Sequence, residues 1–173
     1  MNRQSLLGKI AVLLIVLAAS TSVALAMADR RVRPHTAWQQ DRYQAVALYL
    51  REHTQAQARV FVWGNSPAIY LYARRHMGSR YMSVNYQTGH VWGTPANDLG
   101  GRPDWKSVPA ESWNNLMADL QRNLPDFIVD AAAGKLDKMD DEPLTRHPRM
   151  AEFVARHYLL EKVVLGVPLY RKR

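Results

Sequence analysis

The sequence contains no cysteine, which excludes disulfide bridges and thiolate metal sites together. That absence does not locate the protein, since exported domains also lack cysteine. Glycine is sparse where a nucleotide would need it. A dinucleotide fold requires Gly-x-Gly-x-x-Gly after its first strand so that the backbone can approach a pyrophosphate, whereas the turn here reads Trp63-Gly64-Asn65-Ser66-Pro67, with a single glycine. No Gly-x-Ser-x-Gly elbow is present. None of His35, His53, His76, His90, His147 and His157 forms the helical histidine pair with a nearby carboxylate that zinc enzymes use, and most read as surface residues. No metal or other cofactor is expected, and no internal repeat is visible.

What remains is an ordinary globular composition, 47% hydrophobic and 22% charged, which excludes a disordered chain. Its length of 173 residues fits one domain and an accessory segment. A formal charge of +8 points to an anionic neighbour, although the sign alone does not choose among nucleic acid, anionic lipid and a phosphorylated substrate.

Residues 10–28 carry no charge, follow Arg3 and Lys9, and precede Asp29, Arg30, Arg31 and Arg33. As a helix rising about 1.5 Å per residue they span about 28 Å, close to the roughly 30 Å hydrocarbon core of a bilayer. Residues 1–28 therefore read as a transmembrane anchor. The alternative is a cleaved signal peptide, with Ala24-Leu25-Ala26 as its small-residue site, after which the protein is secreted. Either reading places the remainder on the periplasmic or extracellular side, which separates it from nucleic acid. Residues 29–35 are a basic linker whose arginines can rest on lipid phosphates.

Residues 36–173 alternate between helical and strand patterns. Thr36 opens a helix whose face is Tyr43, Val46, Ala47 and Leu50, ending near His53 or Thr54. Val60-Phe61-Val62-Trp63 reads as a buried strand stopped by Gly64 and Asn65. Ser66 and Pro67 start the next helix as cap and first-turn residue, with Ile69, Tyr70, Ala73 and Met77 inward. Residues 79–85 suit a second strand, and residues 88–106 a long loop. A third helix is predicted over about residues 110–123, ended by Pro125, and a third strand over residues 126–130. Residues 134–149 read as a polar surface loop. Pro148 begins a fourth helix with Met150, Phe153, Val154 and His157 on its face, and residues 159–171 form either one bulged strand or a tight hairpin.

This order predicts an α/β fold, a three-layer sandwich with a mainly parallel central sheet of four to five strands, its last strand antiparallel at an edge. Ligands in such sheets sit beyond the strand carboxyl ends. Asn65, Ser66, Arg80, Tyr81, His90 and Trp92 are the candidate contacts there, with Trp63, Trp105 and Tyr86 as further aromatics able to stack on a sugar or anchor at a membrane interface. Asp140, Asp141 and Glu142 form the dense acidic cluster and read as a solvated charge run in a polar loop.

Val60-Phe61-Val62-Trp63-Gly64, followed by Pro67, Tyr70, Arg74 and Ser79-Arg80-Tyr81, resembles the extracytoplasmic C-terminal domain of multi-spanning glycosyltransferases that use polyprenyl-phosphate sugars, the family of the protein mannosyltransferases and aminoarabinose transferases. Residues 123–129 and the stretch Val167-Pro168-Leu169-Tyr170-Arg171 are similar to that domain's closing strands, so that the resemblance covers about residues 36–172. It implies a domain acting beside a polytopic glycosyltransferase, or a remnant of one. The family's catalytic carboxylates lie in an early extracytoplasmic loop that has no counterpart here, so the chain is expected not to catalyse alone. The competing reading is an independent anchored module that binds a glycan, a lipid-linked sugar or an envelope protein.

Overall fold

Short apolar runs bounded by breakers define the centre of the sheet. In the computed structural model, which describes residues 20–21, 34–90, 108–136 and 139–173, the strands β1 (Arg59–Trp63) and β3 (Phe127–Asp130) pair in parallel. The partners run from Val60 with Phe127 to Trp63 with Asp130. Side chains alternate along a strand, so each strand feeds both faces of the sheet. Val60, Val62, Phe127 and Val129 enter one apolar cluster, and Phe61, Trp63 and Ile128 enter the other.

The chain divides into two compact units, Met1–Gln40 and Asp41–Arg173, and the sheet belongs to the second. Helix α1 (Pro34–His53) begins two residues before the expected cap Thr36, with proline in the first turn, where its missing N–H costs nothing. Its Val46, Ala47 and Leu50 cover the first face together with Ile69, Tyr70 and Ala73 of α2 (Ala68–Ala73). The second face is covered by α4 (Ser112–Asn123), through Leu116, Met117 and Leu120, and by α5 (Pro148–His157), through Met150, Phe153 and Val154. The expected third helix, third strand and fourth helix thus form where their periodicity placed them.

Three expectations are corrected. The second strand is not residues 79–85 but the two-residue β2 (His76–Met77), after which the chain bends towards the short helix α3 (Asn85–Thr88). Local side-chain bonds displace the ladder there: Ser79 Oγ accepts from the Tyr81 N–H at 3.1 Å and donates to its carbonyl at 3.0 Å. The expected α2 cap also fails. Pro67 occupies the cap position and makes no side-chain bond to the helix, while Ser66 contributes its carbonyl, which accepts from Ile69 N–H at 3.1 Å. Finally, Met77 leaves the helix for β2, because α2 stops at Ala73 with Arg74 in the left-handed region.

The tail resolves as a hairpin, β4 (Tyr158–Val164) and β5 (Val167–Lys172), with a bulge between Leu160 and Lys162. The strand order is β2-β1-β3-β5-β4, so the five-stranded sheet is mixed, parallel at one end and antiparallel at the other. The last strand is antiparallel as expected, yet it lies inside the sheet, and β4 takes the edge. Among the described residues no helix is long and apolar enough to cross a membrane. The apolar run at residues 10–28 lies outside the described residues except for Ser20 and Thr21, as does most of the 88–106 loop.

Because β2 is so short, the far half of the β1 edge needs other partners. Tyr70 Oη accepts from the Val62 N–H at 2.8 Å, and Val84 N–H donates to the Gly64 carbonyl at 3.1 Å. Tyr70→Phe leaves the Val62 N–H buried and unbonded, and is expected to lower stability by about 1–3 kcal/mol in urea denaturation. At the hairpin, Leu165 and Gly166 both hold positive φ, 46° and 85°, the pattern that favours Asn-Gly. Leu165→Asn is expected to raise stability by about 0.5–1 kcal/mol in the same measurement.

Candidate functional site at the sheet end

The carboxyl ends of β1 and β3 lie side by side, and the chain leaving each is held tightly. A Cβ on Gly64 would stand 3.0 Å from the Ala131 Cβ, and the residue has φ 142°, so glycine is required by both space and backbone. Ala131 and Ala132 N–H groups donate to the Trp63 carbonyl at 2.9 and 3.2 Å. Asp130 then joins two loops: its Oδ1 accepts from Ala133 N–H at 2.9 Å and its Oδ2 from Leu144 N–H at 3.1 Å. Burial pushes this carboxyl up to about 6, against the two N–H donors, which favour its charged form.

The loop after β3 is not the solvated run expected from its charge. Asp140 and Asp141 are exposed, but Glu142 is completely buried, because Met139 and Leu144 on either side of it enter the second apolar cluster and draw the loop inward. The Trp63 indole N–H donates to the Glu142 carbonyl at 2.8 Å. The Glu142 carboxyl faces His147 Nε2 at 2.9 Å and Arg146 Nη1 at 3.2 Å. Burial, with Arg146 beside it, lowers His147 to about 4, so the imidazole is neutral near pH 7 and its Nε2–H donates to Glu142. Burial raises the Glu142 carboxyl, Arg146 opposes this, and Asp141 adds to it. The His147 ring lies 4.9 Å from Trp63 and 5.5 Å from Trp113, and the Arg149 guanidinium stands 5.7 Å over the half-buried Trp113. Histidine 147 is therefore a core residue, contrary to the surface reading given to most of the histidines.

The residues singled out in the sequence are not gathered into one site. Asn65 is half-buried and Ser66 buried just past β1, where strand-end contacts belong. Arg80 instead joins α4: its Nε and Nη2 donate to Asp119 at 2.8 and 3.0 Å, and its backbone N–H donates to the same carboxylate at 2.9 Å. Asp119 is buried, and the Arg80 bonds hold it below the usual carboxylate range. Tyr81 packs against the second apolar cluster, and His90 Nδ1 lies 3.3 Å from Thr88 Oγ1. Tyr86 is exposed; Trp92 and Trp105 lie outside the described residues. Two buried amide oxygens of α3, Asn85 Oδ1 and Gln87 Oε1, have no hydrogen-bond partner among the described residues. Among the described residues no group of three or more acids and histidines is placed to hold a metal ion.

Asp119 and Asp130 are not among the residues the sequence singles out, although Asp130, an acid closing a continuous apolar run, has a visible signal; Glu142 and His147 are, but as part of a solvated acidic run and as one of six histidines. Comparison with models of protein families, with curated proteins and with solved structures finds no match to this chain.

Asp130 and His147 pull stability in opposite directions in acid. A carboxyl raised to about 6 binds its proton more tightly folded than unfolded, so its contribution is greatest below about 4 and is lost as pH rises to about 6. His147, lowered to about 4, contributes stability that is lost as pH falls from its ordinary 6.5 towards 4. In Asp130→Asn only the second effect remains. The stability of that variant relative to the native protein should rise between pH 4 and 6 by up to about 3 kcal/mol and then level off, as read by urea denaturation across the pH series.

Proposed function

We propose that residues 36–173 are an extracytoplasmic domain held at a membrane by residues 10–28, and that the domain serves a multi-spanning lipid-linked-sugar glycosyltransferase without catalysing transfer itself. In this reading the α/β fold is a three-layer sandwich, helices against both faces of its sheet, behind one N-terminal membrane helix.

The observation that carries the reading is the state of the carboxylates. Transfer from a polyprenyl-phosphate sugar needs a carboxylate within hydrogen-bond reach of the acceptor hydroxyl. Among the described residues the buried candidates are Asp119, Asp130 and Glu142, and all three are bound to groups of the domain itself. Each fixes a loop or helix in place. The resemblance of Val60 to Gly64 and of Ser79 to Tyr81 to the glycosyltransferase domain supports the same role, with the membrane and a polytopic enzyme or its lipid-linked sugar as partners.

The full chain incubated with polyprenyl-phosphate sugars is expected to give no product above blank, and protease added outside spheroplasts is expected to digest residues 36–173. Turnover that Asp140→Asn or Asp141→Asn abolishes would overturn the non-catalytic role. A protected domain would overturn the orientation, and a mature chain starting near residue 27 would replace the anchor with secretion.

A further inference from the structure

We propose that the tip of the β4–β5 hairpin, Leu165 together with Val163, inserts into the surface of an anionic bilayer. The proposal rests on the reading that residues 10–28 hold the domain at a membrane.

Leu165 is in the wrong place for a leucine on two independent counts. Its φ of 46° lies in the left-handed region, where a bulky side chain is strained and asparagine, aspartate or glycine is preferred. Its side chain is also 58% exposed, and Val163 beside it is 50% exposed, so neither gains the burial that would offset an apolar residue at a turn. Water is a poor medium for such a tip. The headgroup boundary is a good one, since a shallow apolar contact of about 5–10 Å depth gains hydrophobic free energy.

The fold fixes this tip to the part of the chain that follows the apolar run. Arg42 of α1 is almost fully buried and donates from Nε and Nη2 to the Leu165 carbonyl at 3.1 and 2.9 Å, with Nη2 also donating to the Gly134 carbonyl. Only residues 29–41 separate Arg42 from the apolar run, and they include Arg30, Arg31 and Arg33. Thirteen residues of chain thus join the apolar run to the residue that holds the tip. Gly134 packs so closely on this hairpin that a Cβ would stand 2.6 Å from Val167 Cγ2, and Lys135 next to it is exposed. Lys162 on β4 is exposed as well, so the hairpin region carries ammonium groups suited to lipid phosphates. The charge of Asp140 acts on the Arg42 guanidinium. The occupant that combines apolar depth with surface phosphate is an anionic bilayer.

The chain has no cysteine, so one introduced thiol carries a fluorescent label alone. Leu159, on the same strand and equally 58% exposed, is the matched control, about 20 Å from the tip along the strand. Full-chain Leu165→Cys and Leu159→Cys, each labelled with an environment-sensitive dye and shown to melt at the native temperature, would be reconstituted in phosphatidylcholine vesicles containing phosphatidylglycerol and nitroxide-tailed lipid. The label at 165 is expected to be quenched at least about twofold more than the label at 159. Vesicle flotation with neither label quenched would overturn the insertion while leaving the anchor intact. Equal quenching at both sites would also overturn it, showing instead that the whole of β4 lies on lipid or on a second chain. A chain that fails to float would remove the anchor reading and the insertion with it.

Discussion

Four residues of β1 lie in parallel register against four of β3, and both strands bury side chains on both faces. A strand that presents apolar groups to two sides demands a covering layer on each, and the rest of the domain is organised by that demand. Helices α1 and α2 meet it on the face of Val60, Val62, Phe127 and Val129, while α4 and α5 meet it on the face of Phe61, Trp63 and Ile128. The price appears at the strand ends, where polar backbone must leave an apolar interior, and it is there that Asp130, Glu142 and Tyr70 form their hydrogen bonds.

Those polar groups divide into two kinds. Tyr70 and Asp130 receive backbone N–H groups that the sheet itself cannot satisfy, so they complete the architecture. Asp119 and Glu142 bind side chains brought from elsewhere, Arg80 in one case and His147 in the other, so they fix one piece of irregular chain against a regular one. Every acid in the two sets has a partner among the described residues, and Trp63 is buried at the sheet end.

The parts of the fold legible in the sequence are those decided by a local window. Phe127-Ile128-Val129 is continuous and apolar, Leu116, Met117 and Leu120 keep helical spacing, and Pro148 marks a helix start, so each element forms where its own residues indicate. The parts that misread are decided by distant residues. Residues 79–85 have strand-like composition, but Arg80 is drawn to Asp119 across 39 positions, a partnership no window contains. Glu142 sits among charges and reads as solvated, yet Met139 and Leu144 commit it to the interior. Asn65 and Ser66 were placed at the right end of β1 because a strand followed by a turn has a direction, whereas Arg80 and Tyr81 depended on the misplaced strand. Gly78 N–H bonds to the Val60 carbonyl near the start of β1 and Val84 N–H to Gly64 past its end, so the two lie along the edge rather than beyond it.

The position of β5 between β3 and β4 carries a consequence for how the domain comes into being. Ile128 finds its cross-strand neighbour in Tyr170, so the free side of β3 stays bare until residues 167–172 have been synthesised and have left the exit channel. Such non-local closure is slow, and an uncovered strand edge is a template for pairing with another molecule. An emerging chain can assemble β1, β2, β3 and the helices between them, but it holds an open edge for the whole interval in which α5 and β4 are made.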